Sequence, residues 1–129
     1  VDAFDSDVLI YAANGERSGR KIAALLAAPD SVEGCIGSVL LLPEVLSHPI
    51  RSGKEHESRA LQLLLGRLSL KAVDFETALL ATTLGAKYRL RAADAVHLAT
   101  AILWGAERFH TNNRKDFGPH IEEIEVVLP

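Results

Sequence analysis

Short apolar segments alternate with helical ones along the whole chain, and this alternation constrains the fold more than any other feature. Val1 to Phe4, Val32 to Ile36, Leu68 to Val73, Glu107 to Thr111 and Glu125 to Leu128 read as strands. Between the first two, Val8 to Ala13 reads as a helix turn closing at Asn14-Gly15, and Ile22, Leu25 and Leu26 form an apolar stripe opposite Arg20 and Lys21. That second helix is expected from Ser18 until Pro29 ends it. Ser38 is placed to cap a helix through Val39, Leu42 and Val45, bent by Pro43 and ended at His48-Pro49. Glu55 to Leu65 is a further helix. Asp74 caps Phe75 to Tyr88, with Gly85 near its fraying end, and Ala92 to Trp104 is a nearly all-apolar helix stopped by Gly105. Strands separated by helices imply parallel neighbours, because a parallel connection needs a crossover. The expected fold is α/β: a three-layer α/β/α sandwich with a central, mostly parallel sheet, in one domain over residues 1–129.

A chain of 129 residues is long enough to bury roughly two-thirds of its unfolded surface. Its 20 Leu and 18 Ala, against seven aromatics, suit a core of packed helices with small residues at close contacts. One cysteine, Cys35, excludes an internal disulfide, a Cys-based zinc site and a CxxC redox motif together, and fits a reducing compartment. No apolar run reaches the roughly 18 residues of a membrane span, and Asp2, Asp5 and Asp7 precede any basic residue, the wrong order for a secretory signal. Cytoplasm is the expected location. Met is absent, so residue 1 is read as a misread initiator or a trimmed end. Fourteen Lys and Arg against 17 Asp and Glu give a net charge of −3, which by itself argues against an electrostatic nucleic-acid coat protein.

In an open α/β sheet ligands bind beyond the carboxyl ends of the strands, and four acids fall there. Asp5 closes the first strand, Glu44 lies in the helix after the second, Asp94 in the first turn of the apolar helix, and Asp116 follows the strand ending at Thr111. Singly, each has a plain structural reading: Asp5 as a helix cap, Asp94 as a complement to a helix dipole, Asp116 as a solvated loop acid. Glu44 interrupts an apolar stretch and is harder to assign to solvent. Together the acids demand a cation, since two carboxylates about 4 Å apart repel by roughly 4 kcal/mol at an effective dielectric near 20. Oxygen donors alone point to a hard metal, Mg²⁺ or Mn²⁺. Such a metal lowers the pKa of a bound water and neutralises charge developing on a phosphodiester.

Four segments carry a resemblance: Phe4-Asp5-Ser6-Asp7-Val8-Leu9-Ile10-Tyr11-Ala12, Leu42-Pro43-Glu44-Val45-Leu46, Ala93-Asp94-Ala95-Val96-His97-Leu98-Ala99-Thr100-Ala101 and Thr111-Asn112-Asn113-Arg114-Lys115-Asp116-Phe117. In order and spacing they resemble the four acidic motifs of PIN-domain ribonucleases, and most nearly the VapC-type toxins of toxin–antitoxin pairs. The resemblance implies that Asp5, Glu44 and Asp94 hold the metal or its water ligands, with Ser6 and Thr111 in support. For the fourth acid, many relatives use the position of Asn113, and others the position of Asp116; Asp116 is taken here, with Asn113 as its neutral hydrogen-bonding neighbour. The implied protein is a cytoplasmic, metal-dependent endoribonuclease, homodimeric, with an antitoxin partner and an RNA substrate.

Two other readings stand beside it. Asp5 and Asp7 match the Asp-x-Asp of haloacid-dehalogenase-like phosphatases, although Leu9 occupies the place of the usual Thr. A PIN fold with a decayed site, acting only through a partner, is the other. His97, three residues after Asp94, shares its helix face and reads as a ligand or as a packed core histidine. Cys35 reads as a core residue and Trp104 as a core or interface aromatic. Arg17, Arg20, Lys21, Arg51, Lys54, Arg114 and Lys115 are either an RNA path or ordinary surface charge. The segments Val39 to Leu46 and Leu61 to Leu65 offer apolar surface to an antitoxin helix or a second copy.

Overall fold

Side chains alternate faces along a strand, and here the alternation divides the apolar residues into two cores on opposite sides of one sheet. Ala3, Ile36 and Phe109 join one core; Phe4 and Cys35, their neighbours in sequence, join the other. The computed structural model describes residues 1–28 and 34–129. Its elements are β1 (Asp2–Phe4), α1 (Ser6–Ala13), a 3₁₀ turn (Arg17–Gly19), α2 (Arg20–Ala27), β2 (Cys35–Ser38), α3 (Leu41–Arg51), α4 (Glu55–Leu65), β3 (Ser69–Lys71), α5 (Phe75–Tyr88), α6 (Ala92–Leu103), β4 (Arg108–His110) and β5 (Glu125–Val127).

The strands form one five-stranded sheet in the order β3-β2-β1-β4-β5, and every neighbouring pair is parallel. Leu84, Leu98 and Ala99 from α5 and α6 fill the first core with Phe117, Ile121 and Ile124. Val8, Leu9, Leu26, Leu41, Val45, Leu61 and Leu65 from α1 to α4 fill the second. The expected α/β/α sandwich is therefore present. The chain steps from β1 outward to β2 and β3, then returns across the sheet to β4 on the other side of β1. The strand order thus reverses between β1 and β4, which opens a crevice at their carboxyl ends.

Several local expectations shift. Val32 and Glu33 of the expected second strand, and Pro29, lie outside the described residues; the strand runs Cys35–Ser38 because its ladder to β3 pairs Ser38 with Lys71. Ser38 does not cap α3: its Oγ accepts the Leu40 N–H at 3.1 Å, one turn before the helix begins. Pro43 costs α3 no hydrogen bond, since the first four helical N–H groups have no intrahelical acceptor. The helix runs through Pro49, which is buried, to Arg51 rather than ending at His48. Gly85 lies within α5, which ends at Arg89 in the left-handed conformation (φ 56°, ψ 44°). Trp104 is not a core residue: it is 54% exposed, with the Lys71 ammonium 4.2 Å from its ring centroid. Of the surface offered to a helix, Leu41, Val45, Leu61 and Leu65 are spent in the core, leaving Val39, Leu42 and Leu63 exposed.

Candidate active site

Asp5 stands at the end of β1, where its N–H donates to the His110 carbonyl at 3.0 Å and extends the β1–β4 ladder by one residue. Its side chain is 2% exposed. One carboxylate oxygen accepts the Ser6 N–H at 2.8 Å, capping α1, and the other accepts the Thr111 hydroxyl at 2.9 Å. The cap reading and the site reading of Asp5 are therefore compatible: one oxygen serves the helix while the other binds Thr111 in the loop after β4. Ser6 supports Asp5 through its backbone N–H. Thr111 is fully buried, and its Oγ1 also accepts the Asn113 N–H at 3.0 Å, tying the loop after β4 to the end of β1.

Asp94 lies in the first turn of α6, half-buried. Burial pushes its carboxyl above the usual range; the Arg91 cation opposes this, and the charges of Asp116 and Glu44 add to the rise. Asp5 is raised by its burial, with His97 opposing and the Asp94 charge adding. The Asp94 charge thus disfavours ionisation of Asp5, as the Asp116 and Glu44 charges disfavour that of Asp94. Asp116 is oriented by Asn113, whose Nδ2 donates to its carboxylate at 3.0 Å while the Asp116 N–H returns to the Asn113 side-chain oxygen at 3.2 Å. Asn113 is in this way a polar clamp on the acid that Asp94 senses.

Glu44, in the first turn of α3, rests on Nε2 of His97. The His97 ring is 1% exposed and comes from α6 one turn beyond Asp94, so it joins the second and third acidic segments. Its role is a buried contact to Glu44, which spacing along one helix does not reveal because the partner lies 53 residues away. Two further residues escape the sequence reading. Asp7 accepts the Asn112 N–H at 3.1 Å, and burial together with the Asp5 charge pushes its carboxyl up to about 6. Arg91, just before α6, is the cation nearest in effect to Asp94. Signals existed for both, since Asp7 lies two residues after Asp5 and Arg91 precedes the third motif, but each reads equally as surface charge.

Among the described residues no three His, Cys, Asp or Glu side chains are gathered into a ready cage for a metal ion. Asp5, Asp94, Glu44 and Asp116 are linked by mutual charge, while Thr111, His97 and Asn113 hold three of them in place. An all-carboxylate donor set in which burial and neighbouring acids raise the Asp5 and Asp94 carboxyls fits a hard divalent cation, which relieves that repulsion. Among the basic residues, Arg17, Lys21 and Arg114 line one groove with Glu16 and Pro129. Lys115 is exposed beside Arg114, and Arg51 lies at the opposite end of α3 from Glu44.

A family model for the PIN domain matches residues 3–118. The chain is similar in structure to a toxin–antitoxin complex from Klebsiella pneumoniae, at 28% identity over 98% of this chain and 96% of that one, with a TM-score of 0.77. It is also similar to VapBC2 from Rickettsia felis bound to a DNA fragment from their promoter, at 20% identity over 98% and 97% of the two chains, TM-score 0.76. A third similarity, to DNA-bound VapBC from Salmonella typhimurium, has 18% identity over 98% and 96%, TM-score 0.69. No curated protein matches the chain.

Proposed function

The chain belongs to the PIN domain family, and on that premise we propose that it is a metal-dependent endoribonuclease acting as the VapC-type toxin of a toxin–antitoxin pair. The observation that carries this reading is the convergence of carboxylates from separate elements at the strand-order reversal: Asp5 ends β1 and feels the charge of Asp94, and Asp94 in turn feels the charges of Asp116 and Glu44. Asp5, Glu44, Asp94 and Asp116 are the residues that would hold Mg²⁺ or Mn²⁺. When bound, such an ion supplies an activated water and neutralises charge developing on the phosphodiester.

The chain's own groups do the rest. Thr111 and the Ser6 N–H fix the Asp5 carboxylate so that it does not need to reorganise when charge accumulates. His97 steadies Glu44, and Asn113 steadies Asp116. Arg91 offsets part of the negative field on Asp94. An antitoxin partner is supported by the similar structures, which are toxin–antitoxin complexes; an RNA substrate and a homodimer complete the proposal. Family membership displaces the phosphatase reading, in which Asp7 is a free general acid; here its carboxylate holds the Asn112 N–H.

Asp5→Asn and Asp94→Asn should each abolish Mn²⁺-stimulated RNA cleavage and relieve growth arrest on expression, with unchanged circular dichroism. Full cleavage by both variants would sink the proposal. Calorimetric titration with Mn²⁺ separates it from the decayed-site reading, which predicts no heat of binding at millimolar metal.

A further inference from the structure

Arg17 from the 3₁₀ turn, Lys21 from α2 and Arg114 from the loop after β4 come from distant parts of the chain, yet they line one open groove of about 610 Å³. Among the described residues Glu16 is its sole acidic lining residue, in a chain whose net charge is −3. The groove adjoins a smaller slot of about 110 Å³, shared at Lys21 and Pro129. Ile22 and Leu25 wall the slot on the α2 side, Val127 and Leu128 on the β5 side. Thr111 and Asn112 line its inner end. Those two residues connect it to the acids: the Thr111 hydroxyl donates to Asp5 at 2.9 Å and the Asn112 N–H to Asp7 at 3.1 Å.

A ligand matched to this surface has a flat apolar part about one ring in size, with anionic groups repeating beside it. A closed apolar cavity of about 150 Å³ holds a benzene ring. This slot of about 110 Å³ is smaller but open where it meets the groove at Lys21, so it receives the edge of one base ring with the rest of the ring and the sugar left at the mouth. Cations along a groove beside an apolar platform are the usual means of holding a single strand. We propose that slot and groove together form a subsite for one unpaired base of the RNA and its flanking phosphates, with the strand continuing past Thr111 to Asp5 and Asp94. The inference rests on the ribonuclease reading above and names where the strand lies.

The test is the binding of fluorescently labelled single-stranded RNA decamers, read by anisotropy in Ca²⁺ and checked on gels to be intact. Leu25→Trp, a change at a partly exposed position outside the acid cluster, fills the slot and should weaken binding about fivefold or more, the range of one base contact, with the salt dependence unchanged. The double variant Arg17→Ala, Lys21→Ala should weaken it about tenfold and reduce the slope of log affinity against log salt by about 1.4, two cations at about 0.7 each. Wild-type protein should bind a decamer of abasic sites about fivefold more weakly than a decamer with bases, a comparison that needs no variant to fold. Equal binding of abasic and normal RNA, wild-type affinity in either variant, or displacement of RNA by polyglutamate at equal charge concentration would overturn the subsite. Binding as described by a protein that never cuts RNA in Mn²⁺ overturns the function proposed above and leaves the subsite standing.

Discussion

Thr111→Val is the substitution that most directly tests how the site is held. Val nearly matches Thr in shape, so packing at this fully buried position is kept and only the hydroxyl is lost. Two hydrogen bonds go with it: the donation to Asp5 at 2.9 Å and the acceptance from the Asn113 N–H at 3.0 Å. A hydrogen bond to a charged group contributes about 1.5–3 kcal/mol and a neutral one about 1 kcal/mol. Asp5 is 2% exposed and, among the described residues, keeps only the Ser6 N–H, so little solvent replaces the lost donor. The expected loss is about 3 kcal/mol of folding stability, a fall of roughly 10 °C in melting temperature for a domain of this size. The loop from Asn112 to Asp116 loosens as well, so Mn²⁺ binding should weaken in calorimetry. Urea unfolding at neutral pH gives the stability change directly, and Thr111→Ser, which retains the hydroxyl, should recover most of it. A Val variant within about 0.5 kcal/mol of wild type would refute the view that Thr111 holds Asp5 in the fold.

Three further outcomes follow from the same geometry. Burial alone would raise the Asp2 carboxyl, but the hydrogen bonds from Arg108 and His110 outweigh it and hold the group below the usual range. Its contribution is therefore present above the ordinary Asp value and lost as pH falls through the lowered folded value; Asp2→Ala should cost about 1–3 kcal/mol in urea unfolding at pH 7, a gap that narrows toward pH 3. His97→Ala frees Glu44 and leaves a cavity in α6, with an expected stability loss of about 2 kcal/mol or more; an unchanged urea midpoint would contradict the buried contact. Gly19→Ala puts a Cβ 2.4 Å from the backbone of Ala12 and Tyr11, and should destabilise by about 3 kcal/mol, read as a lower melting temperature.

Local chemistry made much of the fold legible. Asp74, whose side chain caps α5 by accepting the Thr77 N–H at 2.9 Å, and the helix Glu55–Leu65 are set by residues within a turn of one another. The departures have nonlocal causes. α3 continues through Pro49 because the Pro49 ring is itself buried, while the exposed turn beyond it is closed by the Lys54 N–H on the Pro49 carbonyl. β2 ends at Ser38 because a strand lasts as long as its neighbour's ladder. The net charge of −3 reads differently once the site is in place. With Asp5, Glu44, Asp94 and Asp116 counted as one acidic cluster, fourteen basic side chains face thirteen acidic ones over the rest of the domain.

The sequence by itself determined the alternation of strand and helix, the family, and the types and order of the four acids, because these depend on side-chain chemistry and on spacing along the chain. Only the tertiary structure decided which groups meet: Thr111 with Asp5 across 106 residues, His97 with Glu44 across 53, and Arg17 with Arg114 on one groove. A hydrogen bond or a shared groove depends on distances of a few ångströms in space. Those distances are fixed when the crossover connections fold β1 and β4 side by side, and no spacing along the chain encodes them.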